Sequence, residues 1–316
     1  VDQIDSKQIA ERGNSNISRS LQGMVPGLNI TFSDGKPSRT PSINLRGTGS
    51  IGAGGSALVL INGVEGDLNS VNPADVESVS VLKDASSAAI YGARGAFGVI
   101  LVTTKNATAG KTKINYNGSF SMHQRTVKTE DGIVSNGLQW TDGWYTAYLE
   151  GQEAPPGGIN NVFKYSTDWY NELVRRDADP SLDKVRVNDK GEYEYFGNTN
   201  WLDIIYKDQN YSTEHNVSIS GGNERARYYV SGRYYNQDGI YNAGDEKYTQ
   251  YNIRSKGEIQ INKSLLLENN TDVMIFRSHQ PMVMYDRQNI TRQAQHQGYP
   301  VTMEKNPDGT WTEAAV

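Results

Sequence analysis

Three carboxylates, Asp75, Glu77 and Asp84, lie close together in a chain of 316 residues, and Lys83 adjoins the last of them. Acid–base catalysis needs two such groups to converge on one substrate atom. Here Asp75 and Glu77 fall in one expected helical turn and Asp84 at the start of a small-residue helix, with no converging partner, so they read as caps and surface charge. The four His (His123, His215, His279, His296) are scattered without metal-ligand spacing, and there is no Cys. Thiolate zinc sites, disulfides and Cys nucleophiles are thereby excluded. Gly47-Thr48-Gly49-Ser50-Ile51-Gly52 matches G-x-G-x-x-G, but a dinucleotide site needs a helix after the last Gly. Gly54-Gly55 and the apolar run Ala57–Ile61 follow instead. No catalytic residue, metal or cofactor is indicated, and the expectation is a protein that is not an enzyme. The remaining binding chemistry is aromatic. Trp140, Trp144 and Tyr148 recur at i, i+4 and i+8, one face of a helix, and Trp169 opens a second helical pattern. Such faces stack on sugar rings, but the plainer reading is that they form the core of their own loop.

Two kinds of element surround these residues. Residues 1–107 read as a compact mixed α/β domain. A short helix Ile17–Gly23 ends at Gly23, and a Pro26-Gly27 turn leads to the strand Leu28–Phe32. Ser42–Arg46 alternates, Ala57–Ile61 is fully apolar, and Asn62-Gly63 is a tight-turn signal. One helical turn over Pro73–Ser78 precedes the strand Val79–Leu82. Asp84 then caps a helix Ala85–Tyr91, and Gly92, Gly95 and Gly98 interrupt the chain before Val99–Thr104.

Residues 108–316 follow a different rule. Lys113–His123 alternates strictly, with Ile114, Tyr116, Gly118, Phe120 and Met122 against polar neighbours. The pattern returns in Tyr211–Ser220, Arg225–Asn236, Tyr251–Ile261 and, more weakly, Leu265–Arg277. Long and short connections alternate too, the longest covering residues 124–210 with helices expected over Leu138–Glu150 and Thr167–Arg176. A soluble sheet with one buried face gives the same alternation, and so does a membrane β-barrel. Charges on the polar face (Arg227, Arg233, Arg254, Lys256, Glu258) suit a wet lumen. Tyrosines near segment ends (Tyr211, Tyr228, Tyr234, Tyr248, Tyr251) suit an interfacial girdle. A net charge of −5 without basic clusters argues against nucleic acid as a partner.

The run from Asn72-Pro73-Ala74-Asp75-Val76-Glu77-Ser78 through Lys83-Asp84, Tyr91-Gly92-Ala93-Arg94-Gly95 and Gly98 to Lys105 resembles the signature of the SusC/RagA family of TonB-dependent outer-membrane transporters. Supporting matches are Ser20-Leu21-Gln22-Gly23, Ile43-Asn44-Leu45-Arg46-Gly47, Leu60-Ile61-Asn62-Gly63-Val64, Thr199-Asn200-Trp201-Leu202 and Asn216-Val217-Ser218-Ile219-Ser220-Gly221-Gly222-Asn223. The resemblance implies a plug domain (1–107) and then antiparallel transmembrane β-barrel strands (108–316), an incomplete portion of a wall of about 22 strands, because five strands cannot close. Lys83, Asp84, Tyr91, Gly92, Arg94, Gly95 and Gly98 would carry the plug signature. Arg46 and Arg94 would lock the plug to wall carboxylates such as Glu258 or Glu268. Trp140, Trp144, Tyr148 and Trp169 would be the substrate-binding candidates.

By the same resemblance the function would be TonB-dependent import of a bulky nutrient, first an oligosaccharide, across the outer membrane of a Bacteroidota-like Gram-negative bacterium, with the plug facing the periplasm. The partners would be a SusD-like surface lipoprotein, the TonB–ExbB–ExbD complex, outer-membrane lipid and the cargo, with pairs of transporter and lipoprotein dimerising. Peptide or metal-chelate uptake on the same fold, and a non-transporting carbohydrate-binding β protein, are the rival readings.

Overall fold

Asp5 and Gln8 form a capping box: the Gln8 N–H donates to Asp5 Oδ1 at 2.8 Å, and Gln8 Oε1 accepts from the Asp5 N–H at 3.0 Å. In the computed structural model, which describes residues 2–32, 39–45, 56–128, 132–159, 163, 165–242, 244–280 and 298–315, this box separates β1 (Asp2–Asp5) from α1 (Ser6–Glu11). Neither element was expected from the sequence. After them come α2 (Ile17–Leu21), β2 (Leu28–Thr31), β3 (Ser42–Leu45), β4 (Leu58–Ile61) and β5 (Val64–Glu65). Next are β6 (Val76–Leu82), α3 (Ala85–Ala88) and β7 (Val99–Thr104). Arg46 and the G-x-G-x-x-G match lie outside the described residues.

Five of these strands form one sheet in the order β1-β6-β7-β4-β5, with β4 and β7 parallel and the other pairs antiparallel. Strands covered on both faces become continuous apolar runs. Val76, Val79, Val81, Val99, Ile100 and Val102 are accordingly buried, and Ile4, Ile9, Ile17, Leu21 and Leu68 pack around them. Each such side chain contributes roughly 1.5–3 kcal/mol on burial. The Asn62-Gly63 hairpin has positive φ at both residues, 50° and 86°, as a type I′ turn requires.

Two boundaries differ from expectation. Only Pro73–Asp75 is helical, a 3₁₀ turn capped by Asn72, and β6 begins at Val76, because pairing Val76 with Thr104 recovers ladder bonds a longer helix would forfeit. Asp84 stands at the N-cap of α3, but its side chain makes no capping hydrogen bond. The expected helix to Tyr91 gives way after Ala88 to 3₁₀ turns broken at Gly92 (φ 59°, ψ −147°). Beyond it, a Cβ on Gly98 would lie 2.5 Å from Leu45 Cδ1 and 3.2 Å from the Leu82 carbonyl oxygen, so only glycine lets these segments close.

The chain continues into β8 (Gly110–Gln124) and then an insert carrying α4 (Gly137–Leu149), α5 (Thr167–Ala178), β9 (Val185–Val187), β10 (Tyr193–Tyr195) and α6 (Trp201–Ile205). It returns as β11 (Gln209–Gly222), β12 (Ala226–Asp238), β13 (Lys247–Asn262) and β14 (Leu265–His279). The long strands form a second sheet, β14-β13-β12-β11-β8. Packing divides the chain into two compact units. Val1–His123, Asn210–Gly239 and Asp245–Gln280 form the first, so plug and strand wall belong together and the expected boundary at residue 107 falls inside it. Gln124–Gln209, Ile240–Gly244 and Pro281–Val316 form the second, the insert.

The wall has two unlike faces. Ile114 (70%), Phe120 (69%), Ile253 (58%) and Ile259 (47%) are exposed on one of them, with no second protein layer over them among the described residues. The opposite face of β12 and β13 is polar and buried: Ser231, Arg233, Gln250, Asn252 and Arg254 are all at most 5% exposed. The sequence reading of a wet lumen is corrected for Arg233 and Arg254, which are buried, whereas the Arg227 and Glu258 side chains stay 41% and 26% exposed. Tyr211, Tyr228, Tyr234 and Tyr251 lie exposed on the wall, whereas Tyr248 is buried and donates from its hydroxyl to Gln250 Oε1 at 2.9 Å. Tyr248 therefore leaves the expected girdle. No helix among the described residues is long and apolar enough to cross a membrane, which says nothing of strands.

A charge on the apolar face should be costly in lipid. Ile253→Lys is expected to destabilise the full-length protein by roughly 2–4 kcal/mol if residue 253 sits near the bilayer midplane, measured by urea unfolding in liposomes. An unchanged midpoint would place that face in water.

Candidate functional site: the seam between plug and wall

Asp75 is 2% exposed, and a carboxylate so placed must be given hydrogen bonds. The Pro73–Asp75 turn carries it out of the plug onto β12. Its Oδ1 accepts from the Tyr229 hydroxyl at 2.7 Å, and its Oδ2 accepts from the Ser231 hydroxyl at 2.8 Å and from Asn72 Nδ2 at 3.2 Å. The turn is itself held, since the Lys105 N–H donates to the Asp75 carbonyl at 2.8 Å and Lys105 Nζ to the Ala74 carbonyl at 2.7 Å.

Strand periodicity supplies the rest of the seam. Tyr229, Ser231 and Arg233 are alternate residues of β12 and share its inner face. The Arg233 side chain is 1% exposed; its Nε donates to Glu214 Oε1 at 2.9 Å and its Nη2 to the Ser15 carbonyl of the plug at 2.6 Å. On β13, Asn252 Nδ2 donates to the Ser70 carbonyl at 2.7 Å. Lys256 Nζ donates to the Thr104 carbonyl at 3.1 Å and to Asn106 Oδ1 at 2.8 Å. Arg254 pairs with Asp272 of β14. The plug is thus gripped through its N-terminal loop, the 68–75 segment and the end of β7, by directional polar contacts. Among the described residues no cluster of acidic or His side chains could hold a metal.

Sequence reasoning placed the lock elsewhere. Arg94 does not reach Glu258 or Glu268: its side chain is 63% exposed and pairs with Glu65 inside the plug. Glu258 pairs with Arg227 at 2.8 Å, its cross-strand neighbour on β12, and Glu268 lies opposite Glu258 in the β13–β14 register. A nearby cation on the adjoining strand answers Glu258 without a plug arginine. Lys83 pairs with Asp2 and donates to the Pro26 carbonyl at 3.2 Å. Tyr91 packs beside Leu60, Leu82, Ala88 and Val99, and a Cβ on Gly95 would stand 2.7 Å from the Ala88 carbonyl oxygen. Lys83, Tyr91, Gly92, Gly95 and Gly98 therefore shape the plug itself. Asp75, read from sequence as a cap, is the residue that meets the wall. Nothing local marks its contact with the wall, because the two wall donors lie more than a hundred residues away.

The insert has its own core: Ile159, Trp169, Leu173, Phe196 and Val301 are buried together. Trp169 stacks on Tyr165 with ring centroids 4.0 Å apart and donates from Nε1 to the Tyr195 carbonyl at 3.2 Å. Trp169 thereby belongs to the core of the insert. Trp140 and Trp144 both pack on Phe163, at 5.0 Å and 5.1 Å, and Trp140 also meets Tyr299. Trp144 remains 48% exposed and Tyr148 is half-buried. Burial, with the nearby Tyr299, pushes the Tyr165 phenol up to about 12. The hydrogen bond to Asp142 at 2.7 Å, with burial, pushes Tyr170 up to about 12.

An α/β domain with glycine-closed turns, seated on the polar face of a strand wall whose other face is apolar, is the arrangement of a plugged membrane β-barrel. Residues 1–99 match the family model of the TonB-dependent Receptor Plug Domain. The chain is 30% identical to TonB-dependent receptor P26 of Formosa agariphila, over 84% of this chain and 24% of that protein. It is 31% identical to TonB-dependent receptor SusC of Bacteroides thetaiotaomicron, over 75% of this chain and 20% of that one. The RagAB peptide importer in its closed-closed state superposes with a TM-score of 0.69 at 25% identity, covering 99% of this chain and 34% of that one. The chain therefore spans only between 20% and 34% of the length of these relatives. It belongs to the SusC/RagA-like TonB-dependent receptors.

Two outcomes follow from this chemistry. Arg233→Met strands the Glu214 carboxylate and should cost roughly 3–5 kcal/mol, most of it recovered in Arg233→Met/Glu214→Gln; urea unfolding in liposomes measures both. In the insert, neutral phenols are favoured by the fold. Its tyrosine-borne stability is fully present below pH about 10, the unfolded tyrosine value, and is lost as pH rises towards about 12. Tryptophan fluorescence should report loosening in that window, displaced to higher pH by Tyr165→Phe/Tyr170→Phe.

Proposed function

We propose that the chain is the plug and part of the wall of an energy-coupled importer in the outer membrane of a Bacteroidota-like Gram-negative bacterium. The observation that carries this reading is the two-faced wall, apolar outward and, on the other side, hydrogen-bonded to the plug. An apolar strand face suits lipid, and a plug held by polar contacts can be displaced without exposing a large apolar surface. In this reading the TonB–ExbB–ExbD complex supplies the pull and a SusD-like lipoprotein closes the outer mouth, the pairs dimerising.

The cargo is a bulky organic nutrient. An oligosaccharide is the first reading, from the likeness to the SusC-type receptors. A peptide is the second, favoured by the superposition on the RagAB peptide importer over nearly the whole chain. Trp144 and Tyr148 are the exposed and half-buried aromatics left to meet cargo, whereas Trp140 and Trp169 serve the packing of the insert.

Growth of a strain lacking the full-length gene separates these readings. It should fail on one polymeric source, a defined oligosaccharide or a defined peptide mixture, while growing normally on the monosaccharide or free amino acids. Unchanged growth on every polymer tested would refute an importer of either kind.

A further inference from the structure

The inner row of β12 meets the plug at one carboxylate in a way the sequence-expected arginine lock does not. Tyr229 and Ser231 are two residues apart on one strand face, and their hydroxyls take one oxygen each of Asp75. A carboxylate is the side chain whose paired acceptor atoms can bridge two donors in this way. Directly across in the β12–β13 register stand Lys256, opposite Tyr229, and Arg254, opposite Ser231. Two cations thus flank the buried charge from the neighbouring strand. Inside the plug, the Asp75 carbonyl accepts from the Lys105 N–H, and β6 and β7 pair from the very next residue, Val76 with Thr104. Asp75 therefore joins the wall to the two adjacent central strands of the plug sheet, β6 and β7.

We infer that Asp75 is the plug-seating residue of this receptor: through Tyr229 and Ser231 it fixes the plug in the wall, and its release is the step that lets the plug leave its seat. The inference rests on the plug-and-wall reading above and adds to it the residue that sets plug retention. The role is a positioning one.

Conductance of the full-length receptor in planar lipid bilayers tests it, with the amount inserted checked by surface labelling. Asp75→Ala should raise the frequency of open events by roughly tenfold or more, the factor that a hydrogen bond to a charged group is worth. Tyr229→Phe/Ser231→Ala, which leaves the plug sequence untouched, should raise it similarly. The triple variant should be no leakier than either, because all three changes break one contact. Asp75→Asn, which keeps the shape and one acceptor oxygen, should fall between wild type and alanine. A silent wall-side double variant, or a triple variant whose effects multiply, would overturn the inference. Deletion of residues 1–107 is the control for the underlying reading. If that deletion conducts while both latch variants stay silent, the seating role alone fails. If the deletion is itself silent, the plug-and-wall reading falls with it.

Discussion

A polar side chain that loses water must be given a partner inside the protein, and that requirement organises the first unit of this chain. The inner face of the strand wall carries Arg, Lys, Asn, Gln, Ser and Tyr, and the plug removes water from them. Leaving one such group unmatched costs about 1–3 kcal/mol, and more for a charge. The plug answers with a carboxylate at Asp75, carbonyls at Ser15, Ser70 and Thr104 and an amide oxygen at Asn106. These donors and acceptors pair over separate stretches of sequence, while Arg254 Nη1 stays buried without a hydrogen-bond partner among the described residues. Shape alone would not select this seating, because a shifted plug would leave Arg233 Nη2, Asn252 Nδ2 or Lys256 Nζ without its plug acceptor.

The kind of matching also bears on movement. Hydrogen bonds contribute only about 0.5–1.5 kcal/mol net when water can replace the partner, whereas separating an apolar interface exposes area at about 25 cal/mol per Å². A seam of polar contacts is therefore rigid while dry and weakens as water enters, and it can reform afterwards. The apolar core of the plug, around Val76, Val79, Ile100 and Val102, stays on its own side of that seam. Wall and plug thus cohere by different forces, apolar packing within the plug and directional polar contacts between plug and wall. This division suits the displaceable stopper proposed above.

Much of this architecture was legible in the sequence. Period-two alternation located the long strands, because one face meets water-poor surroundings of a different kind from the other. Asn62-Gly63 gave its hairpin, since few other pairs tolerate positive φ twice. The glycines before β7 marked a place where chain segments approach closely, as the contacts a Cβ on Gly95 or Gly98 would make bear out. The short edge strand β1 and helix α1 were missed, although Asp5 and Gln8 do have capping-box spacing. Their hydrophobic pattern is too brief to raise above background.

The seam itself was not legible. Alternation tells which residues share a face but not what covers it, so the buried Arg233 and Arg254 looked like part of a wet lumen. Arg94 was drawn towards wall carboxylates by resemblance, yet Glu65 in the plug satisfies it. Tyr248 stood near a strand end like the exposed tyrosines, but its register puts it on the inner face. The aromatics of the insert carried a binding signal and a packing signal at once: Trp169 packs with Phe196 and Ile159, while Trp144 stays 48% exposed.

In the proposed importer β13 shows lipid on one side and the plug on the other. Single-cysteine variants of the full-length receptor at residues 250 to 254 and 259, labelled with a fluorophore in liposomes, test it by quenching from brominated lipid. Strong quenching at 251, 253 and 259, with little at 250, 252 and 254, is the predicted alternation. Equal protection at both parities would mean a second protein layer over Ile253 and Ile259, and would contradict the account.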